Sequence, residues 1–245
     1  MQRYIKDVRE EFKRLYLAKQ FVGVCREASM TTLMGNCSVE IMNASFIADE
    51  DMIFGDVNRE YIAREEAWYK LMSRNVNTFP GGAPTVWKSI ADKDGFVNSD
   101  YGWIVRSEEN GSQYAHVVEE LKRNPESRRA NIIYTRPTMW TEYNLNGRSD
   151  FVCTNSVQYL MRDGKMNAIV NMRSNDAFFG FRNDCAWQRT VLKEVADEVG
   201  YPVGTLFWNA NSLHLYARHF YLIDHFANTG EISITKKRYD ELYEA

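Results

Sequence analysis

The chain has 245 residues, of which 44% are hydrophobic and 26% are charged, and this balance excludes a disordered or low-complexity protein. Its formal net charge of −3 excludes a general polyanion binder, so we expect no direct binding of nucleic acid. The charged beginning of the chain and the lack of a long apolar run predict neither a signal peptide nor a membrane anchor. We therefore expect a soluble cytoplasmic protein of enzyme size, folded as a single domain over residues 1–245.

Apolar residues at helical spacing predict several helices. Between residues 5 and 16 they recur every three or four positions, which predicts an amphipathic first helix, and the same spacing over 61–72 predicts a second. Glu65 shares a face with aromatic residues of this second helix. It is either a partly buried carboxylate or a water-exposed residue at the edge of the apolar stripe. Further helices are predicted over 112–123 and 185–199.

The clearest strand signal is a hairpin between residues 156 and 172. Two β-rich runs flank Arg-Asp-Gly-Lys, whose Asp163-Gly164 step suits a tight turn. Further strands are predicted over 130–134 and 205–208. Because helices and strands do not alternate regularly, we predict a mixed α+β fold with a large sheet of mixed direction covered by helices.

Cys153 is the first candidate for chemistry, because it stands at the entrance of a predicted strand in Asp-Phe-Val-Cys-Thr-Asn. A cysteine becomes a nucleophile where cationic groups or hydrogen-bond donors lower its pKa, but a buried structural thiol is the alternative. The cysteines show no Cys-x-x-Cys spacing, which indicates free thiols and no metal site; they are Cys25, Cys37, Cys153 and Cys185.

Two polar motifs suit a phosphate group. Arg128-Arg129 and Arg173-Ser174 offer guanidinium forks, which match phosphate oxygens, and a hydroxyl donor. The alternative for adjacent arginines is a solvated surface.

His214 and Tyr216 alternate along an extended segment and therefore face the same side. They either hydrogen-bond a sugar hydroxyl or are ordinary half-buried residues.

Together these motifs resemble the thymidylate synthase superfamily in order and in most spacings, from about Glu65 to Tyr216. The resemblance rests on Cys153 followed by Gln158, on Arg-Ser-Asn-Asp-Ala-Phe-Phe-Gly from position 173, and on His-Leu-Tyr at 214–216. Nearly the entire chain resembles the deoxycytidylate hydroxymethylase branch found in T-even-like bacteriophages. The runs that carry this second resemblance are Phe-Gly-Phe-Arg-Asn-Asp, Tyr-Thr-Arg-Pro, Asn-Ser-Asp-Tyr-Gly-Trp and Arg-His-Phe-Tyr-Leu-Ile-Asp-His.

The resemblance implies a thymidylate synthase-like fold and a homodimer with shared active sites, with a face of the sheet at the dimer interface. It implies that deoxycytidylate (dCMP), water and the co-substrate 5,10-methylenetetrahydrofolate give 5-hydroxymethyl-deoxycytidylate and tetrahydrofolate, a modified nucleotide for phage DNA. No metal takes part. If the chain is phage-encoded, it acts in the host cytoplasm. Whether it joins a nucleotide-synthesis complex stays open.

The resemblance also implies the roles of individual residues. Cys153 adds to carbon 6 of the pyrimidine, Glu65 organises water and moves protons, and Asp184 reads the base. Trp87 and Asp176 match folate ligands. The implied nucleotide ligands are Tyr101, Arg128, Arg129, Arg173, Ser174, His214 and Tyr216, of which the adjacent arginines come from the partner subunit.

Asp184 stands where thymidylate synthases carry an Asn that pairs with uracil. Cytosine reverses the two polarities of that edge, because it offers an amine donor at carbon 4 and an acceptor at ring nitrogen 3. A protonated carboxyl, or a carboxylate facing a protonated ring nitrogen, matches this edge. The position therefore predicts cytosine as the base.

Two positions depart from the thymidylate synthase pattern. Leu33 lies near the place of a phosphate-binding arginine, and Thr154 replaces a histidine, as in the hydroxymethylase branch. The enzyme alternatives are a pyrimidine nucleotide methylase, which reduces the intermediate instead of hydrating it, and a hydroxymethylase of cytidylate. A Cys153–His214 hydrolase leaves Asp184 without a role. The interpretation as a catalytically silent nucleotide-binding protein would fit better if Cys153 or Glu65 were replaced by another residue.

Overall fold

The computed structural model describes residues 2–23 and 37–243 of the chain. Cys25 and Leu33 lie outside the described residues. The helices are α1 (Ile5–Leu17), α2 (Arg59–Leu71), α3 (Thr85–Ile90), α4 (Tyr101–Arg106), α5 (Gln113–Arg123), α6 (Met139–Glu142), α7 (Phe179–Val199), α8 (Phe220–Thr229) and α9 (Lys236–Tyr243). The strands are β1 (Phe21–Val22), β2 (Ser38–Ile47), β3 (Asn131–Ile133), β4 (Thr154–Arg162), β5 (Lys165–Met172), β6 (Asn175–Asp176) and β7 (Val203–Tyr216).

The described strands form a seven-stranded sheet in the order β1-β2-β7-β5-β4-β3, with β6 paired to β7 outside this path. Most neighbours whose direction is known are antiparallel, whereas β6 runs parallel to β7. The predicted α+β fold with a sheet of mixed direction is therefore confirmed.

The predicted hairpin is confirmed as β4 and β5. Asp163 and Gly164 form its turn with φ angles of 52° and 72°, the left-handed region that a two-residue turn of this kind requires. Every second residue of β5 is buried, which places one face of the hairpin in the core. The turn therefore sets the register that fixes the direction of the side chains on both strands.

Two elements are longer than the sequence pattern predicts. The helix predicted over 185–199 already begins at Phe179, because the Asp176 carboxylate accepts the backbone N–H groups of Phe178 and Phe179. Asp184 consequently lies on a helix. The strand predicted over 205–208 extends as β7 to Tyr216 and carries His214.

The tertiary contacts divide the chain into two compact units. The first unit comprises Met1–Val57, Arg173–Ala186 and Phe207–Ala245, and the second comprises Asn58–Met172 and Trp187–Leu206. The prediction of one catalytic domain over the chain stays a prediction.

In the first unit, α1 packs its apolar face against β2 and α8. Ile5, Val8 and Phe12 are at most 1% exposed, and the ring of Phe12 meets that of Phe54 edge to face at 5.9 Å. The predicted first helix is confirmed, and its apolar stripe forms part of this core.

In the second unit, α2 and α4 approach so closely that their backbones touch. A Cβ atom on Gly102 would lie 1.8 Å from the carbonyl oxygen of Tyr69, which is far inside contact distance. Glycine is therefore required at this point of α4. The neighbouring Tyr101 ring stacks on Tyr69 with 5.6 Å between the ring centroids.

The cysteines differ in state. Cys153 and Cys185 are free thiols. Cys37 is disulfide-bonded, so the expectation of a free thiol is wrong at that position.

Among the described residues, no helix has both the length and the apolar character that a membrane crossing needs.

Candidate active site

Glu65 is a buried carboxylate of the second unit. It lies on α2, four residues after Tyr61, and is 6% exposed. The Tyr61 hydroxyl donates to Glu65 Oε1 at 2.6 Å, and Trp87 Nε1 lies 3.1 Å from the same oxygen and 3.0 Å from Tyr61 Oη. The interpretation of Glu65 as a water-exposed residue is therefore wrong.

Burial raises the pKa of Glu65 to about 7, while the donors Tyr61 and Trp87 oppose the rise. A carboxyl with this pKa takes up and releases a proton near neutral pH, which suits general acid and base chemistry. Both donors act on Oε1, so Oε2 is the oxygen left for proton exchange. The contact places Trp87 beside Glu65. Tyr61 was not predicted as a site residue, although its i, i+4 spacing to Glu65 was the available signal.

Cys153 lies immediately before β4 and is half-buried, with its thiol 3.9 Å from the carbonyl oxygen of Phe151. The next residue, Thr154, is fully buried and donates to Tyr101 Oη at 3.0 Å. Cys185, in contrast, is fully buried. The hydrogen bond from Thr154 ties the entrance of β4 to α4, and the partial exposure of Cys153 suits a reacting thiol.

Arg128 and Arg129 precede β3, and both are exposed. Glu120 on α5 accepts from Arg129 Nε at 3.1 Å and from the Ser127 hydroxyl at 2.6 Å. Hydrogen bonds lower the pKa of Glu120 to about 2; the bond from the Ser127 hydroxyl has the largest effect, and those from Arg123 and Arg129 come next. Glu120 thus orients Arg129 as an ion pair at the surface.

Asp184 lies on α7 in the first unit and is half-buried. Asn175 Nδ2 donates to Asp184 Oδ2 at 2.9 Å. Asn175 is itself 2% exposed, and its Oδ1 has no hydrogen-bond partner within the described parts of the chain. Asn175 is part of the motif that begins at position 173 but was not predicted as a site residue, and its contact with Asp184 adds it to the site. Arg173 and Ser174 come directly before it and are half-buried.

His214, Tyr216 and Asp176 lie together at the end of β7. The parallel register pairs Asp176 with His214, and the His214 and Tyr216 rings are 4.9 Å apart. The guanidinium of Arg218 lies 4.5 Å from the centre of the Tyr216 ring. Burial lowers the pKa of His214 and raises the pKa of Asp176, while their mutual attraction opposes both shifts.

Each unit thus assembles a subset of the predicted residues. The second unit joins Glu65 to Trp87, and Tyr101 to the residue after Cys153. The first joins His214, Tyr216 and Asp176. Among the described residues, no group of three or more histidine, cysteine or acidic side chains is arranged to hold a metal ion.

The family model of thymidylate synthase matches residues 55–235, which is most of the chain. The chain belongs to the thymidylate synthase family. Within this family it is 52% identical over 210 residues to a protein of Enterobacteria phage T2 named deoxycytidylate 5-hydroxymethyltransferase, covering 83% of this chain and 85% of that protein. The protein of the same name from Enterobacteria phage T4 is 52% identical over 209 residues, covering 82% and 85%.

A solved structure supports the fold. The thermostable thymidylate synthase A from Bacillus subtilis superposes with a TM-score of 0.65 at 21% sequence identity, covering 89% of this chain and 84% of that one. The expected thymidylate synthase-like fold and the resemblance to the hydroxymethylase branch of the family are confirmed.

Proposed function

We propose that the protein is a deoxycytidylate 5-hydroxymethyltransferase. It converts dCMP, water and 5,10-methylenetetrahydrofolate into 5-hydroxymethyl-dCMP and tetrahydrofolate. Its support is the 52% identity to phage proteins of that name over 83% of the chain. The observation that carries the choice of base is the Asp184 carboxylate, which accepts a hydrogen bond from Asn175.

Asp184 reads the cytosine edge. A carboxyl group shares one proton with ring nitrogen 3 and accepts from the amine at carbon 4. The Asn175 amide occupies Oδ2 and so fixes the orientation of the carboxyl plane. A carboxylate facing the carbon 4 oxygen of uracil would place two acceptors together in a partly buried site, which disfavours deoxyuridylate.

Cys153 supplies the nucleophile. Its thiolate adds to carbon 6, and the electron pair of the 5,6 double bond makes carbon 5 nucleophilic. Protonation of ring nitrogen 3 through Asp184 stabilises the charge that develops during this addition. After carbon 5 has gained the one-carbon unit, loss of its proton and release of tetrahydrofolate leave an exocyclic methylene, to which water adds. The thiolate leaves as the 5,6 double bond re-forms.

Glu65 moves the protons of these steps. Its pKa of about 7 lets the same carboxyl accept a proton from the attacking water and return one. Tyr61 and Trp87 hold Oε1, so the exchange takes place at Oε2.

The residues present suit a folate. Trp87 lies beside Glu65 through its Nε1 contact, and the Asp176 carboxylate keeps lone pairs beyond its two backbone bonds for the N–H groups of a pterin. The folate supplies the one-carbon unit. Trp87 packs against its ring system and Asp176 orients it.

The phosphate is held by Arg173 and Ser174 together with Arg128 and Arg129 of a second copy of the chain. The exposure of the adjacent arginines supports such a reach. His214 and Tyr216 bind the 3′-hydroxyl of deoxyribose, and Tyr101 lies near the nucleotide. The dimer forms through a face of the sheet.

A product assay with a base-edge variant tests the proposal. Wild-type protein with dCMP and the folate should give 5-hydroxymethyl-dCMP by mass spectrometry and release tetrahydrofolate, without dihydrofolate. Cytidylate and deoxyuridylate are the competing substrates. A 5-methyl product formed together with dihydrofolate would instead identify a methylase.

Asp184→Asn should move the preference from dCMP towards deoxyuridylate. A mismatched buried donor costs about 1–3 kcal/mol, so kcat/KM for dCMP should fall about fivefold to 150-fold. Asp163→Asn makes the same chemical change in the exposed β4–β5 turn and should leave the ratio unchanged. An unchanged ratio in Asp184→Asn would remove Asp184 from base reading.

A further inference from the structure

Glu40, Ser212 and His214 form a row of hydrogen-bonding side chains across β2 and β7 in the first unit. Glu40 and His214 are directly opposed in the antiparallel register, and Ser212 comes two residues before His214 on the same strand. The Ser212 hydroxyl donates to Glu40 Oε1 and lies 3.3 Å from His214 Nδ1. Ser212 thus joins a carboxylate to an imidazole.

The hydrogen count of this row fixes its direction. A serine hydroxyl has one proton, and an ionised carboxylate can only accept, so the proton of Ser212 points to Glu40. Ser212 Oγ is then left as an acceptor towards His214 Nδ1, which must carry the ring proton. A neutral imidazole with a proton on Nδ1 has a lone pair on Nε2.

The surroundings favour the neutral ring. Burial is the largest influence and lowers the pKa of His214, and the charge of Arg218 acts in the same direction. Asp176, a hydrogen bond with the backbone of Ser212, and Glu40 oppose the shift. His214 Nε2 is consequently a hydrogen-bond acceptor at neutral pH.

We propose that Ser212, oriented by Glu40, is a positioning residue that fixes His214 as the Nδ1-protonated tautomer, so that Nε2 accepts the proton of a sugar hydroxyl. This inference rests on the proposed function, in which His214 binds the 3′-hydroxyl of dCMP. It adds a direction to that contact: the substrate hydroxyl donates and the enzyme accepts. A nucleotide without a 3′-hydroxyl cannot form this hydrogen bond, so its binding does not depend on the tautomer of His214.

Kinetics with two nucleotides test the substrate side. In Ser212→Ala, kcat/KM for dCMP should fall about fivefold to tenfold, the effect of one misdirected hydrogen bond, while 2′,3′-dideoxycytidylate should change by less than about twofold. Ser212→Thr keeps the hydroxyl and should restore the ratio. Ser45→Ala removes an exposed hydroxyl from β2 and should leave the ratio unchanged. An equal loss on both nucleotides would overturn the proposal.

Nitrogen-15 NMR of labelled histidine tests the tautomer without turnover. The His214 signals, assigned by their loss in His214→Gln, should report a protonated Nδ1 in the wild type and a mixture of tautomers in Ser212→Ala. Glu40→Gln is a second variant, because its amide can donate to Ser212 and release the hydroxyl proton towards Nδ1. A wild-type ring protonated on Nε2, or one that neither variant alters, would refute the inference. Failure to modify dCMP would instead refute the proposed function.

Discussion

The hydrogen bond from Tyr61 to Glu65 gives a prediction that does not depend on turnover. The carboxyl is buried, and Tyr61 donates to it at 2.6 Å. A hydrogen bond to a charged group contributes about 1.5–3 kcal/mol, which corresponds to about 1–2 pKa units. Because the hydroxyl favours the ionised form, its removal in Tyr61→Phe should raise the pKa of Glu65 from about 7 by that amount.

Carbon-13 NMR of glutamate carboxyl groups measures this pKa directly, with the Glu65 signal assigned by its absence in Glu65→Gln. Tyr114→Phe is a matched control, because Tyr114 also donates to a glutamate, Glu198, at 2.6 Å. This control should leave the Glu65 titration in place. An unchanged or lowered pKa of Glu65 in Tyr61→Phe would refute the account of how the carboxyl is tuned.

Two further predictions concern the nucleophile and stability. Cys153→Ser should abolish turnover while nucleotide binding survives, because an alcohol ionises far less than a thiol, and Cys185→Ser should keep turnover. When the inactive Cys153→Ser and Arg129→Ala proteins are mixed, activity should return, because one shared site of the mixed dimer is intact. If activity does not return although subunit exchange is proven, the active site is not shared between subunits. The raised pKa of Glu65 contributes stability below about 4.5 that is lost as pH rises through about 7. In Glu65→Gln, the decrease in the free energy of unfolding between pH 5 and pH 8 should therefore be smaller by up to about 3 kcal/mol. Denaturant unfolding at the two pH values measures this decrease, and an equal decrease in the wild type and the variant would disprove the prediction.

The hairpin of β4 and β5 was predictable because its signals are local. An Asp-Gly turn and two flanking β-rich runs lie within one short segment, and the φ angles of 52° and 72° are those that the turn demands. The first two helices were predictable for the same reason, since an apolar stripe is a property of the segment itself.

The burial of Glu65 depends on a partner distant in sequence. Trp87 lies 22 residues further along the chain, and helical spacing carries no information about what covers the stripe. Strand β2 escaped prediction because its burial does not alternate regularly and Asn43 interrupts it with a φ of 52°. The start of α7 depends on Asp176 as a cap, and the Phe-Gly-Phe run with which the helix begins has no helical period.

The site residues divide in the same way. The roles of Cys153, Glu65 and Asp184 were inferred from a resemblance in motif order, and the family membership is confirmed. Ser212 and Asn175 act through side chains that the fold brings next to them. Spacing alone offered only the two-residue step between Ser212 and His214, which many strands share.

The close approach at Gly102 has a consequence for how the second unit tolerates change. Ordinary helix pairs are separated by side chains that rearrange when one residue is replaced, but here the backbone of α4 lies directly on the carbonyl group of Tyr69. No compressible layer exists at this contact, so a shift of α2 carries Tyr101 and, through it, Thr154 with it. The contact at Gly102 and the hydrogen bond between Tyr101 and Thr154 therefore link the position of α2 to the entrance of β4.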